Sequence, residues 1–100
     1  MEMYDVVIFP AAQNDFLNFM ELIHTLTPEE ADQSFNEFME EVKVLKKAPK
    51  SCPFTRDSHL RLRGYRMLTI DDYLLFFVIN GSSVEIRRIL YSKRQYERLA

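Results

Sequence analysis

One hundred residues make one domain, residues 1–100, and a 47% apolar, 13% aromatic composition is that of an ordinary globular chain with enough side chains for a single core. The lone cysteine, Cys52, excludes an internal disulfide framework and a cysteine zinc cluster, and no stretch approaches the ~20 apolar residues of a membrane-spanning helix. The net charge of −2 is unevenly spread: residues 1–50 carry four lysines against ten acids, and residues 51–100 carry nine basic residues against five acids, so the front is acidic and the back basic. Such an asymmetry suits a back half that meets a polyanion, although acids that only solvate two helices would give the same pattern. The N-terminus, MEMYDVVIFP, begins acidic and its apolar run is too short for a secretory signal, which makes a cytoplasmic protein the expectation.

The first element is a strand over Tyr4 to Phe9 (YDVVIF), β-branched and aromatic, closed by Pro10. Its unbroken apolar run predicts burial on both faces, hence a position inside a sheet. From Ala11 the period changes. Ala12, Phe16, Phe19, Met20 and Ile23 share one face of a helix ending near Thr25, with Asn14, Asp15, Asn18 and Glu21 on the other. Thr27-Pro28-Glu29-Glu30 is a helix start, with Thr27 as N-cap and Pro28 at the first helical position. The second helix has Ala31, Phe35, Phe38, Val42 and Leu45 on its apolar seam, acids outside it, and Lys43, Lys46 and Lys47 in the last turns, where positive charge suits the dipole. The short link makes the two helices an antiparallel hairpin, with Phe16, Phe19, Phe35 and Phe38 as its core.

Ala48 to Leu60 (APKSCPFTRDSHL) reads as a loop. Arg61 to Ile70 (RLRGYRMLTI) reads as a strand, Asp71-Asp72 as a turn, Tyr73 to Ile79 as a central strand apolar on both faces, Asn80-Gly81-Ser82-Ser83 as a hairpin turn, and Val84 to Tyr91 as a mixed strand. Ser92 to Leu99 is a short polar helix or a tail. The order is β-α-α-β-β-β: an α+β fold in which an N-terminal strand and a three-stranded antiparallel meander form a mostly antiparallel sheet, with the helical hairpin packed on one face and room for a short C-terminal helix. His24 and His59 stand apart, with no cysteine or carboxylate at ligand spacing, so neither metal nor cofactor is expected. Cys52, between Ser51 and Pro53, reads as structural or incidental.

This order, together with YDVVIFPAAQNDF at the start, LRGYRMLTIDDYLLFFVING in the middle and VEIRRILYSKRQYERL at the end, resembles the RelE/ParE superfamily of bacterial toxins over nearly the whole chain. The resemblance implies a toxin of a type II toxin–antitoxin system with a cognate antitoxin as partner. It leaves three activities open: metal-independent cleavage of mRNA at the ribosome (RelE-like), which is the leading expectation; inhibition of DNA gyrase without catalysis (ParE-like); or an inactive member that only binds its antitoxin.

Metal-free RNA cleavage needs an oriented 2′-hydroxyl, cations for a doubly charged phosphorane and a proton for the leaving 5′-oxygen. Arginine suits the second task because its guanidinium grips phosphate through two parallel hydrogen bonds. The resemblance implies Arg66, Arg94 and Tyr96 as the catalytic candidates: Arg66 as a phosphate contact, Arg94 as the transition-state cation, Tyr96 as the tail tyrosine of the nucleases. Arg61, Arg63, Arg87, Arg88, Tyr91 and Lys93 are the lesser, RNA-binding candidates. Each has a structural alternative. Arg66 has Asp71 or Glu85 as ion-pair partners, Arg94 is at home as a solvated helix charge, and Tyr96 suits the packing of a terminal helix. The sequence departs from the nucleases twice: Tyr91 stands where relatives commonly have histidine, and Leu74 lies nearest to the place of an early-strand arginine. Both departures favour the non-catalytic members.

Overall fold

The structure, a computed structural model, describes residues 3–23, 27–70 and 73–91. The elements run β1 (Asp5–Ile8), α1 (Pro10–Ile23), α2 (Pro28–Lys47), a 3-10 turn (Pro49–Ser51), α3 (Ser58–Leu62), β2 (Arg66–Ile70), β3 (Tyr73–Asn80) and β4 (Ser83–Tyr91). The four strands lie in the order β1-β4-β3-β2. β2, β3 and β4 form the antiparallel meander, and β1 joins β4 in parallel, Asp5 beside Ser83 and Ile8 beside Ile86. The predicted α+β fold and its element order are therefore found.

The hairpin between β3 and β4 follows from Gly81. Asn80 pairs with Ser83, so only Gly81 and Ser82 turn the chain, and Gly81 sits at φ +61°, a conformation that costs a residue with a Cβ. At α2 the predicted cap forms: Thr27 is extended and its Oγ1 accepts from the Glu30 N–H at 3.2 Å. One core lies between the helical hairpin and the sheet. Phe77, Leu75, Val84 and Ile86 from the sheet meet Ala12 and Phe19 of α1 and Phe38 and Leu45 of α2. Phe19 is its aromatic centre, stacked on Phe38 at 5.1 Å and edge-on to Tyr73 at 4.6 Å.

Four expectations are corrected. β1 is an edge strand, and Val7 and Ile8 are exposed. An apolar run marks burial on both faces only when partners flank both sides, and here the outer edge meets helix ends instead. The Tyr4 N–H donates to Lys46 O at the end of α2, and Gln13 Nε2 donates to Ile8 O. Phe35 is 37% exposed rather than core, because Phe38 and Leu45 take the inward stripe of α2. The strand predicted to start at Arg61 starts at Arg66, since α3 occupies the stretch before it. The loop from Ala48 is built rather than loose: it holds the 3-10 turn, a bridge between Phe54 and Arg66 on the outer edge of β2, and α3.

Candidate functional site

β1 is four residues long and β4 is nine, so β1 covers only the first part of the β4 edge. After Pro10 the chain becomes helical and α1 runs on beside β4. Beyond the reach of β1, the Ile89 N–H donates to Asp15 Oδ2 at 2.9 Å. The same carboxylate takes the Arg88 fork, Nε to Oδ2 at 2.7 Å and Nη2 to Oδ1 at 3.1 Å. Asp15 is buried, 8% exposed, whereas the helix pattern placed it on the solvent face. The pair raises the Arg88 pKa further, chiefly through the hydrogen bonds that Arg88 donates to Asp15. Asp15 lies three residues after Ala12 and four before Phe19, both buried. A carboxylate on that stripe is the signal that would have found it.

A bulge interrupts the β3–β4 ladder. Phe76 pairs with Arg88 and Phe77 with Ile86, leaving Arg87 between them. Ile86 belongs to the core under the helices, and the extra residue brings Arg88 rather than Arg87 into register with Phe76. The two arginines thus stand mid-strand rather than at an end of the sheet. Arg87 Nη2 donates to Glu85 Oε1 at 2.7 Å, and its Cζ lies 4.2 Å from the centre of the Phe9 ring. Its Nε is buried with no partner among the described residues. Arg87, and after it the Asn80 amide at 3.2 Å, hold the Glu85 carboxyl below its ordinary range.

Arg66 does not pair with Glu85, and Asp71, the other expected partner, lies outside the described residues. Its Nη1 donates to Cys52 O at 2.7 Å and to Lys50 O at 3.3 Å, and its Cζ lies 4.0 Å from the centre of the Phe54 ring. Three contacts on one guanidinium pin the loop to the edge of β2. Cys52 is buried against the core beneath it, and that burial pushes its thiol up in pKa. Replacing Arg66 with alanine is expected to cost about 1–2 kcal/mol, the scale of a charge-assisted hydrogen bond at a half-buried position plus one cation–π contact. Proteolysis within residues 48–57 should accelerate and the urea midpoint should fall in step with that loss, and an unchanged rate would refute the tie.

Arg61 and Arg63 belong to α3 and its C-cap, both exposed. Tyr91 enters through its backbone, paired with Tyr73 at the end of β4. Lys93, Arg94 and Tyr96 lie outside the described residues. The structure thus brings Arg87 and Arg88 side by side and sets Arg66, Arg61 and Arg63 apart on the loop side of the sheet.

The face of the sheet turned away from the helices is apolar at its centre, where Leu74, Phe76 and Leu90 are buried with Tyr65 and Met67 packed against them. Leu74, at the departure from the nuclease pattern, is 8% exposed and part of that floor. A phosphate beside it would find no donor from Leu74. It would also have to displace a carboxylate from Arg87 or Arg88, or backbone oxygens from Arg66. The described arrangement can bind an apolar or mixed surface, and it offers no free guanidinium on the strands for a phosphorane.

A family model, ParE toxin of the type II toxin–antitoxin system parDE, matches residues 6–96. A solved structure, the chromosomal ParDE TA system from P. aeruginosa, superposes with a TM-score of 0.68 at 22% identity, covering 87% of this chain and 94% of that one. The curated proteins include no match. The family match spans both the helical hairpin and the meander, and the likeness in fold agrees with it, so the chain belongs to the ParE toxin family of type II toxin–antitoxin systems.

Proposed function

We propose that the protein is a toxin that acts by binding DNA gyrase, without catalysis, and that a cognate antitoxin restrains it. The observation that supports this reading over RNA cleavage is the engagement of the strand arginines. Arg88 is forked on Asp15, Arg87 is held by Glu85, and Arg66 is spent on the backbone of its own loop. A guanidinium that must break an internal pair before it meets a phosphate starts with a penalty, whereas catalysis depends on donors already placed for the developing charge. The exposed apolar side chains of the helical hairpin, Leu17, Phe35 and Met39, give an antitoxin surface to cover. No helix of the described residues is long and apolar enough to cross a membrane, which fits a target met in solution.

Induction of the protein alone in bacteria tests the reading. The expected result is intact mRNA, a DNA-damage response with filamentation, and loss of supercoiling activity when the purified protein is added to purified gyrase. An immediate block of translation with cut messages would overturn it. In that case Arg94→Ala and Tyr96→Phe would ask whether the tail supplies the catalytic groups.

A further inference from the structure

The stretch from Lys50 to Arg66 carries five basic residues against one acid, Asp57, and the fold explains only Arg66 among the five. At its centre stands α3, a single turn fixed at both ends. Asp57 Oδ1 accepts from the Leu60 N–H at 3.0 Å at the start. At the finish Gly64 takes φ +84°, the Tyr65 N–H donates to Leu60 O at 3.1 Å, and the Gly64 N–H donates to Arg61 O at 2.9 Å. That is a Schellman closure, and only a residue without a Cβ adopts the Gly64 conformation at low cost. The turn is further tied to the sheet by the Thr55 N–H, which donates to Tyr65 O.

What this rigid turn displays is Leu62, 87% exposed, the most exposed large hydrophobic residue described. Arg61 and Arg63 flank it in the chain and Arg56 precedes the Asp57 cap of the same turn; all three are exposed, and none makes an ion pair or a side-chain hydrogen bond among the described residues. The fold gains nothing from Leu62: it belongs to neither apolar cluster. An apolar knob flanked by arginines that have no partner among the described residues, on a turn already ordered before binding, has the composition of an interface anchor.

We propose that the α3 corner is the surface that docks onto the toxin's target, and that the target presents there an apolar pocket rimmed by carboxylates on a folded protein. This rests on the reading above that the target is a protein. Charge complementarity sets the rim: three arginines without partners among the described residues call for acidic neighbours. Leu62 sets the centre, and it separates this occupant from a nucleic acid, whose phosphate backbone would engage the arginines and leave the leucine in water.

The test uses the full chain with two variants, Leu62→Ser and the double change Arg61→Glu with Arg63→Glu. Five quantities are measured: growth inhibition on induction, inhibition of purified gyrase, thermal melting, affinity for the cognate antitoxin, and binding to a short RNA duplex. Each variant is expected to lose growth inhibition and gyrase inhibition at least ~10-fold, the scale of truncating an interface anchor, with melting and antitoxin affinity unchanged. Unchanged toxicity in the folded variants would overturn the proposal, as would a loss of antitoxin affinity instead. So would a silent Leu62→Ser beside a charge reversal that abolishes binding to a short RNA duplex. Should the wild-type protein fail to inhibit gyrase, the gyrase reading falls alone. The corner is then judged on growth inhibition, where a tenfold loss upholds it and no loss ends it.

Discussion

Replacing Asp15 with alanine is expected to lower stability by about 2–4 kcal/mol, from one orphaned buried N–H plus a broken ion pair whose arginine is half in water. The carboxylate has two roles that no other described group shares. It accepts from the Ile89 N–H, which β1 is too short to reach, and it neutralises Arg88 at the same edge. Arg88 is 46% exposed, so part of its charge regains hydration when Asp15 is removed, which holds the cost below that of a fully buried pair. The melting temperature should fall on the order of 10–25 °C for a domain this size. Asp15→Asn keeps an acceptor for Ile89 and loses the charge, so it should fall between wild type and alanine. A loss from alanine below ~0.5 kcal/mol, the range of an ordinary surface change, would sink this account of the edge. The double change Asp15→Ala with Arg88→Ala should cost less than the two single changes added, because once both are gone no unpaired charge remains.

Phe77→Ala should be still more damaging, about 3–5 kcal/mol, because it empties a large volume at a place that cannot collapse. Phe77 is wholly buried on the central strand β3, flanked by β2 and β4 and covered by the helices. A 100-residue domain has only about 5–15 kcal/mol of net stability, so this single change removes roughly a fifth of it at the least. The measurement is a urea melt: the midpoint should drop with the slope unchanged. Leu17→Ala, at an exposed position of α1, is the control and should stay within ~0.5 kcal/mol of wild type. Equal effects at the two positions would mean that burial in this sheet does not set stability.

The elements were legible where a local rule operates. Thr27-Pro28 marks the start of α2, Gly81 marks the hairpin, and the change of apolar period after Pro10 marks α1. The failures have a common cause. VVIF at β1 was read as an interior strand, yet whether a strand has one neighbour or two is decided by elements remote in sequence. RLRG before Tyr65 alternates like a strand, but Asp57 and Gly64 close a helical turn around it, and a one-turn helix is too short to show a period. Phe35 falls at helical spacing with Phe38, but the inward stripe is narrower than the apolar face of α2.

The candidate site was less legible than the fold. The resemblance implies Arg66 as a phosphate contact and makes Arg87 and Arg88 lesser RNA-binding candidates. Tertiary structure gave each of them an internal partner, in one case from 73 residues away. The sequence by itself determined the α+β order, because that follows from short-range periodicity, caps and turns, and its motifs carried the resemblance to the family. Only the tertiary structure decided which cations are spent and which are free. It buried Asp15, tied Arg66 to its loop, engaged Arg87 with Glu85 and Arg88 with Asp15, and left Arg56, Arg61 and Arg63 without a partner among the described residues on the stretch that carries the exposed Leu62. The physical reason is that a charge's partner depends on distance in space, which no pattern along the chain records.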